Sequence, residues 1–183
     1  LMHFLKRLFL TGALVLPATA AAADWQIDTS HSSATFEVTH LAVSTVTGTM
    51  GPIEGAVSYE DGRPSSFVAK ATVNVAGIDT DSQKRDDHLR SGDFFDAASH
   101  PTITFSSKSV KSETQSGFVI MGDLTIRGVT KSVELEIKGP TKTITDPWGG
   151  KRRGFRATGT INRQDFGLSW SNTTPTGELV VSD

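Results

Sequence analysis

Apolar and polar residues alternate with period two along most of the chain. Ala34, Phe36, Val38 and His40 share one face, and Thr35, Glu37 and Thr39 share the other. Phe67, Ala69, Ala71, Val73 and Val75 alternate with Val68, Lys70, Thr72 and Asn74. The same rhythm runs through Ile103 and Phe105, then Phe118, Ile120, Gly122, Leu124 and Ile126. It returns in Val133, Leu135 and Ile137, and again in Phe155, Ala157, Gly159 and Ile161. Turn-forming groups fall between these runs: Glu60 to Pro64, Ser116-Gly117, Arg127-Gly128, Lys138 to Pro140 and Asp146 to Gly150. Short turns between alternating runs predict antiparallel hairpins, and one apolar face per strand predicts a sandwich or a barrel. One stretch breaks the rhythm. Residues 82–91 carry helix formers without alternation, so a short helix is expected there, with Asp81 or Ser82 as its N-cap and Gly92 at its end.

The expected inner faces mix large and small residues. Ala34, Ala69, Ala71, Gly122, Ala157 and Gly159 interrupt the Phe, Ile, Leu and Val positions. Such interleaving fits a small barrel packed solid, with large groups filling the space beside small ones. It equally fits an apolar cavity, since about eight strands can enclose one small ligand.

Composition narrows the functional classes. The chain has 183 residues, 37% of them hydrophobic and 21% charged, enough for one domain with a core. Lys and Arg total 18 against 20 Asp and Glu, which argues against a nucleic-acid partner. Cys is absent, which removes disulfides, thiolate metal sites and a Cys nucleophile. At the N-terminus, His3, Lys6 and Arg7 precede an apolar run from Leu8 to Leu16. Pro17 and the Ala-rich segment up to Ala23 follow. This order predicts a secretory signal peptide over residues 1–23 and a mature domain over 24–183. An exported, Cys-free and mildly acidic domain fits the bacterial periplasm.

Candidate chemistry is sparse. No G-x-S-x-G, H-E-x-x-H, P-loop or G-x-G-x-x-G is present. His31, His40, His88 and His100 are scattered, and no metal site is expected. Asp86-Asp87-His88 reads as a solvated helix face, because adjacent helical residues point in different directions. His40 is in phase with Phe36 and Val38 and is the one candidate for inward acid–base chemistry. Lys151-Arg152-Arg153 reads as a charged turn or an anion-holding one. Arg163 continues the inward phase of 155–161, and a buried Arg needs a carboxylate, for which Asp86 and Asp165 are the candidates.

The ordered motifs resemble the YceI-like family. His31-Ser32 leads to Phe36, Val38, His40 and Leu41. Arg85-Asp86 precedes His88-Leu89, Asp93-Phe94-Phe95-Asp96 and Pro101-x-Ile103-x-Phe105. Gly122 to Thr130 and Ile161 to Leu168 complete the series, so the likeness runs from about Trp25 to the end. The resemblance implies an all-β, extended, lipocalin-like antiparallel β-barrel with a helical insertion, in which Phe94 and Phe95 cap one end. Related chains usually continue through another alternating strand after Leu179, Val180 and Val181, so the last strand is expected to be truncated.

The resemblance also implies a periplasmic protein without enzymatic activity or cofactor. Such a protein holds an isoprenoid-type lipid, a quinone or a similar amphiphile in the barrel. That moves the balance toward a cavity lined by Phe36, Val38, His40, Phe67, Ala69, Ala71, Val73, Ile103, Phe105, Phe118, Ile120, Leu124, Val133, Leu135, Ile137, Phe155, Ala157 and Ile161. Transient contact with the inner membrane and a homodimer stay open as partners. A packed stress-response or structural protein, and an enzyme acting on a quinone or lipid, are the alternatives.

Overall fold

The computed structural model describes residues 23–183, so the expected signal peptide lies outside the described residues except for Ala23. The fold is all-β with one short α-helix. Its strands are β1 (Ala23–Gln26), β2 (Ala34–His40), β3 (Ser44–Met50), β4 (Ile53–Glu60), β5 (Arg63–Asn74) and β6 (Thr102–Thr114). They continue with β7 (Gly117–Ile126), β8 (Val129–Lys138), β9 (Ile144–Thr145), β10 (Lys151–Arg152) and β11 (Arg156–Thr158). A seven-stranded antiparallel sheet in the order β1-β4-β5-β6-β7-β8-β11 curls into a half-barrel. The β2–β3 and β9–β10 hairpins form two small sheets of their own.

The curl follows from local irregularities as well as from strand twist. Register shifts interrupt β4 against β5 between Ser58 and Glu60, and β6 against β7 between Ser107 and Ser109 and again between Val110 and Ser112. Each extra residue bends its strand and raises the right-handed twist. At the far end, Arg127 and Gly128 both take positive φ, 49° and 74°. That is the backbone a tight two-residue hairpin needs. Arg127 is held in this unusual conformation for a non-glycine residue by its own side chain, which donates to the carbonyls of Phe94 at 2.8 Å and Gly167 at 3.2 Å.

The alternation read from sequence is visible in the burial. Along β2, Ala34, Phe36, Val38 and His40 are half-buried and the residues between them are exposed. On β5 and β7, Phe67, Val73, Phe118, Ile120 and Ile126 are buried. The final run is where the regular strand stops early. Only Arg156 to Thr158 pair with β8, and Asn162 caps a 3-10 helix over Arg163–Phe166 by accepting from the Gln164 N–H.

The helix α1 (Gln83–Arg90) lies within the expected segment, with Ser91 as C-cap, its N–H donating to the His88 carbonyl, and Gly92 at the expected position just beyond it, without the positive φ of a glycine stop. Asp86 departs from the expected solvated face. It is only 5% exposed and accepts from the Thr80 N–H at 2.9 Å and the Thr80 hydroxyl at 2.6 Å. The Arg85 Nε in turn donates to the Thr80 hydroxyl at 2.7 Å. Adjacent helical residues do point apart, and here one of them points into the protein. Asp86→Ala is expected to lower stability by roughly 2–3 kcal/mol, because it strands two buried donors. Urea unfolding measures this, and a midpoint unchanged from the parent would contradict it.

Two apolar clusters fill the two ends of the half-barrel. One joins Val75, Ile78, Phe94, Phe95, Ile126, Phe166 and Leu168 beneath α1 and the 3-10 helix. This is the end that Phe94 and Phe95 were expected to cap. The other joins Tyr59, Phe67, Phe118, Ile120 and Ile137 near the β4–β5 turn.

Candidate functional site

The concave face of the sheet connects the two clusters. Of the expected lining residues, Phe67, Val73, Phe118, Ile120 and Ile137 are buried in it. Ala69, Ala71, Ile103, Phe105, Leu124, Val133, Leu135, Phe155 and Ile161 are half-buried, while Ala157 is exposed. Phe36, Val38 and His40 stand apart on the β2–β3 hairpin. That hairpin joins the rest at two places. Thr49 and Asp79 exchange backbone hydrogen bonds of 2.8 and 3.0 Å, and the segment Val180–Ser182 bonds to Thr39 and Leu41.

The glycines change the meaning of the small-residue pattern. A Cβ on Gly48 would collide with the Phe36 ring, one on Gly122 with the Phe105 ring, and one on Gly159 with Leu135. Phe36 and Gly48 are direct cross-strand partners. Each glycine is therefore a seat for a large neighbour, and at Gly48 and Gly122 it is the aromatic-over-glycine arrangement that pins strand register. Gly122 and Gly159 do not open a cavity, which corrects that part of the small-residue expectation. Ala69 and Ala71 are not among the seats and stay half-buried on the concave face. Two open depressions of about 400 and 370 Å³ occur among the described residues, each with a mixed polar and apolar lining. Neither is a sealed apolar chamber, and the apolar candidate is the strip of half-buried side chains along the concave face, termed the trough below.

The aromatic end of the trough has the most detailed geometry. Tyr59 stacks on Phe118 with centroids 6.0 Å apart, and Phe67 meets Phe118 edge-on at 5.0 Å. Phe155 packs edge-on against both Tyr59 and Phe67. Over these rings lies Arg153, whose guanidinium sits 5.2 Å from the Trp25 ring centre and 5.9 Å from those of Tyr59 and Phe155. The sequence reading missed Trp25 and Tyr59, and it took Arg153 only as part of a charged or anion-holding turn, not as a buried cation over aromatic rings. A signal for Tyr59 existed, since Ile53, Gly55, Val57 and Tyr59 alternate along β4.

Neighbouring basic residues have different fates. Arg152 is engaged by Asp146 at 2.8 Å and by Asp28. The Arg152 side chain, helped by the Gly150 N–H, holds the Asp146 carboxyl below its ordinary value. Arg163 is nearly buried, but neither Asp86 nor Asp165 pairs with it, contrary to expectation. Its guanidinium donates to the carbonyls of Ser182 and Trp170 at 2.8 Å, of Val181 at 3.1 Å and of Leu168, with the Asp183 carboxylate at 3.4 Å. The strand phase ends before Arg163, so its side chain turns toward the C-terminal segment instead. His88 bonds to Asp93 at 2.9 Å and packs edge-on to Phe94 and Trp170. No group of metal-ligating side chains occurs among the described residues.

Comparison with known proteins gives a consistent placement. The family model described as the YceI-like domain matches residues 25–183. The protein YceI of Escherichia coli O157:H7 is 41% identical over 152 residues, 82% of this chain and 78% of its own. The crystal structure of the Campylobacter jejuni YCEI protein superposes with a TM-score of 0.61 at 28% identity, covering 78% of this chain and 83% of that one. A polyisoprenoid binding domain from Saccharophagus degradans shares the fold at a TM-score of 0.54 and 13% identity, covering 81% and 82% of the two chains. The alternating strands, the helix beneath its Phe-Phe cap and the late 3-10 turn all lie within the matched span, and the chain belongs to the YceI-like family.

Proposed function

We propose that this protein binds an isoprenoid-type lipid, such as a polyisoprenoid or an isoprenoid quinone, and sequesters or carries it in the periplasm. The observation that carries this reading is the trough. Ala69, Ala71, Leu124, Val133 and Leu135 leave apolar surface half-covered on the concave face, at the margins of two filled clusters. A linear apolar chain laid there covers that surface, and each methylene it buries contributes roughly 0.8 kcal/mol. Catalysis has no part in this reading: His40, the acid–base candidate, stands on the β2–β3 hairpin apart from the trough. The likeness to a polyisoprenoid binding domain supports the choice of ligand, and the leader-like residues 1–23 support export.

Organic extraction of protein purified from its own periplasm is the direct test. A co-purifying isoprenoid is expected, and protein that repeatedly extracts clean would count against the reading. Substitution gives a second check. Ala69→Phe and Ala71→Phe should weaken lipid binding about tenfold or more, because each ring occupies the space the lipid would take, and each 1.4 kcal/mol of lost contact is tenfold. Full affinity in both variants would show that the lipid lies elsewhere.

A further inference from the structure

Two hydrogen-bond donors at the aromatic end are enclosed by protein and have no acceptor: Nε of Arg153 and Nε1 of Trp25. Buried donors without partners are rare, because each forfeits its bond to water. The Arg153 side chain is 7% exposed, and its single carboxylate contact is with Asp61 at 2.7 Å. Asp61 is itself 72% exposed, so the pair lies at the edge of solvent, where such contacts are weak. The adjacent Arg152 shows the contrast, with two carboxylates on its guanidinium. Arg153 is turned instead onto the rings of Trp25, Tyr59 and Phe155.

The unsatisfied groups here are an indole N–H and a guanidinium N–H, and both can only donate. Their complement is an oxygen acceptor, and a negatively charged one gains most beside a guanidinium surrounded by rings. We propose that Arg153 and Trp25 receive the anionic oxygen head group of an amphiphile whose apolar tail lies in the trough. This rests on the lipid-binding reading and adds the class of head group and the end of the trough at which it sits. A purely structural role for Arg153, as a cation laid over the aromatic cluster, explains the ring contacts but leaves both N–H groups unsatisfied.

Geranylgeranyl phosphate and geranylgeraniol share one tail and differ in the head, so their affinities, measured by titration below their aggregation thresholds, separate the two contributions. The full chain should bind the phosphate about tenfold or more tightly than the alcohol. Arg153→Leu should bring the two within about twofold by weakening the phosphate alone, and Trp25→Phe, which keeps the ring stack, should narrow the ratio in the same direction. Equal binding of the two ligands by the parent protein would overturn the proposal. So would a ratio that survives Trp25→Phe unchanged, or an Arg153→Leu variant that weakens both ligands alike. Should Arg153→Leu fail to fold, the Trp25→Phe ratio decides. Displacement of the lipid phosphate by inorganic phosphate would also overturn it, marking a site for the free anion. Failure of the parent protein to bind either ligand would reject the lipid-binding reading, and this inference with it.

Discussion

Replacing Arg163 with methionine is expected to lower stability by roughly 3–5 kcal/mol, a drop in Tm on the order of ten degrees. Methionine preserves much of the stem and removes every donor. Carbonyls of Leu168, Trp170, Val181 and Ser182 then lose their shared partner together. Because one planar fork satisfies them all, lysine should recover only part of the loss, since a compact ammonium cannot reach four acceptors in that geometry. Guanidinium-induced unfolding of the parent, Arg163→Met and Arg163→Lys supplies the test. A methionine variant that melts within a degree or two of the parent would show that the carbonyl cluster is satisfied without the arginine.

Truncating Phe118 to alanine should cost about 3–5 kcal/mol, the range for removing a fully buried aromatic ring. Phe118 is 1% exposed and is the ring on which Tyr59 stacks and Phe67 abuts. Its loss removes partners from both neighbours at once, so collapse of the site around the gap is restricted. The exposed Val68, with its side chain on the opposite face of β5, serves as a control, and Val68→Ala should stay within about 0.5 kcal/mol. Comparable losses in the two variants would mean that the aromatic cluster is not a principal stabilising unit.

The periodic parts of the fold were legible before any coordinates. Strands β2, β5, β7 and β8 and the helix were visible because their one-sided burial imposes period two or releases it. The tight turn at Arg127-Gly128 was visible for a similar reason, since its residue types meet a local backbone demand. Arg163 was recognised as buried, yet its partners were not. A guanidinium can be satisfied by carbonyls, which every residue carries and which leave no trace in composition. The glycine seats were ambiguous for another reason. Gly122 marks a place without a side chain, but only the rotamer of Phe105 decides whether that place is filled. Trp25 and Arg153 are 128 positions apart, and no local pattern links an edge strand to a residue beyond a distant hairpin.

The anchors of the β2–β3 hairpin also bear on the order in which the molecule assembles. Strands β4 to β8 pair successively with their neighbours in the chain, so that wall grows by short hairpin closures except at the α1-bearing connection from Asn74 to Thr102. The hairpin can zip by itself, and beyond Met50, which packs against the cluster beneath α1, it is fixed by Asp79 and by contacts such as Thr39 with Ser182, 143 residues away. Closing so long a loop carries a large entropic cost that is recovered only when the final contacts form. The consequence is a chain whose curved wall exists before the hairpin is fixed against its last segment. During that interval the concave face is at its most accessible, so the lipid proposed above would have its widest entry during biogenesis. Pulse-labelling hydrogen exchange should find amides of β5 to β8 protected before those of Thr39 and Leu41, and simultaneous protection would refute this sequence of events.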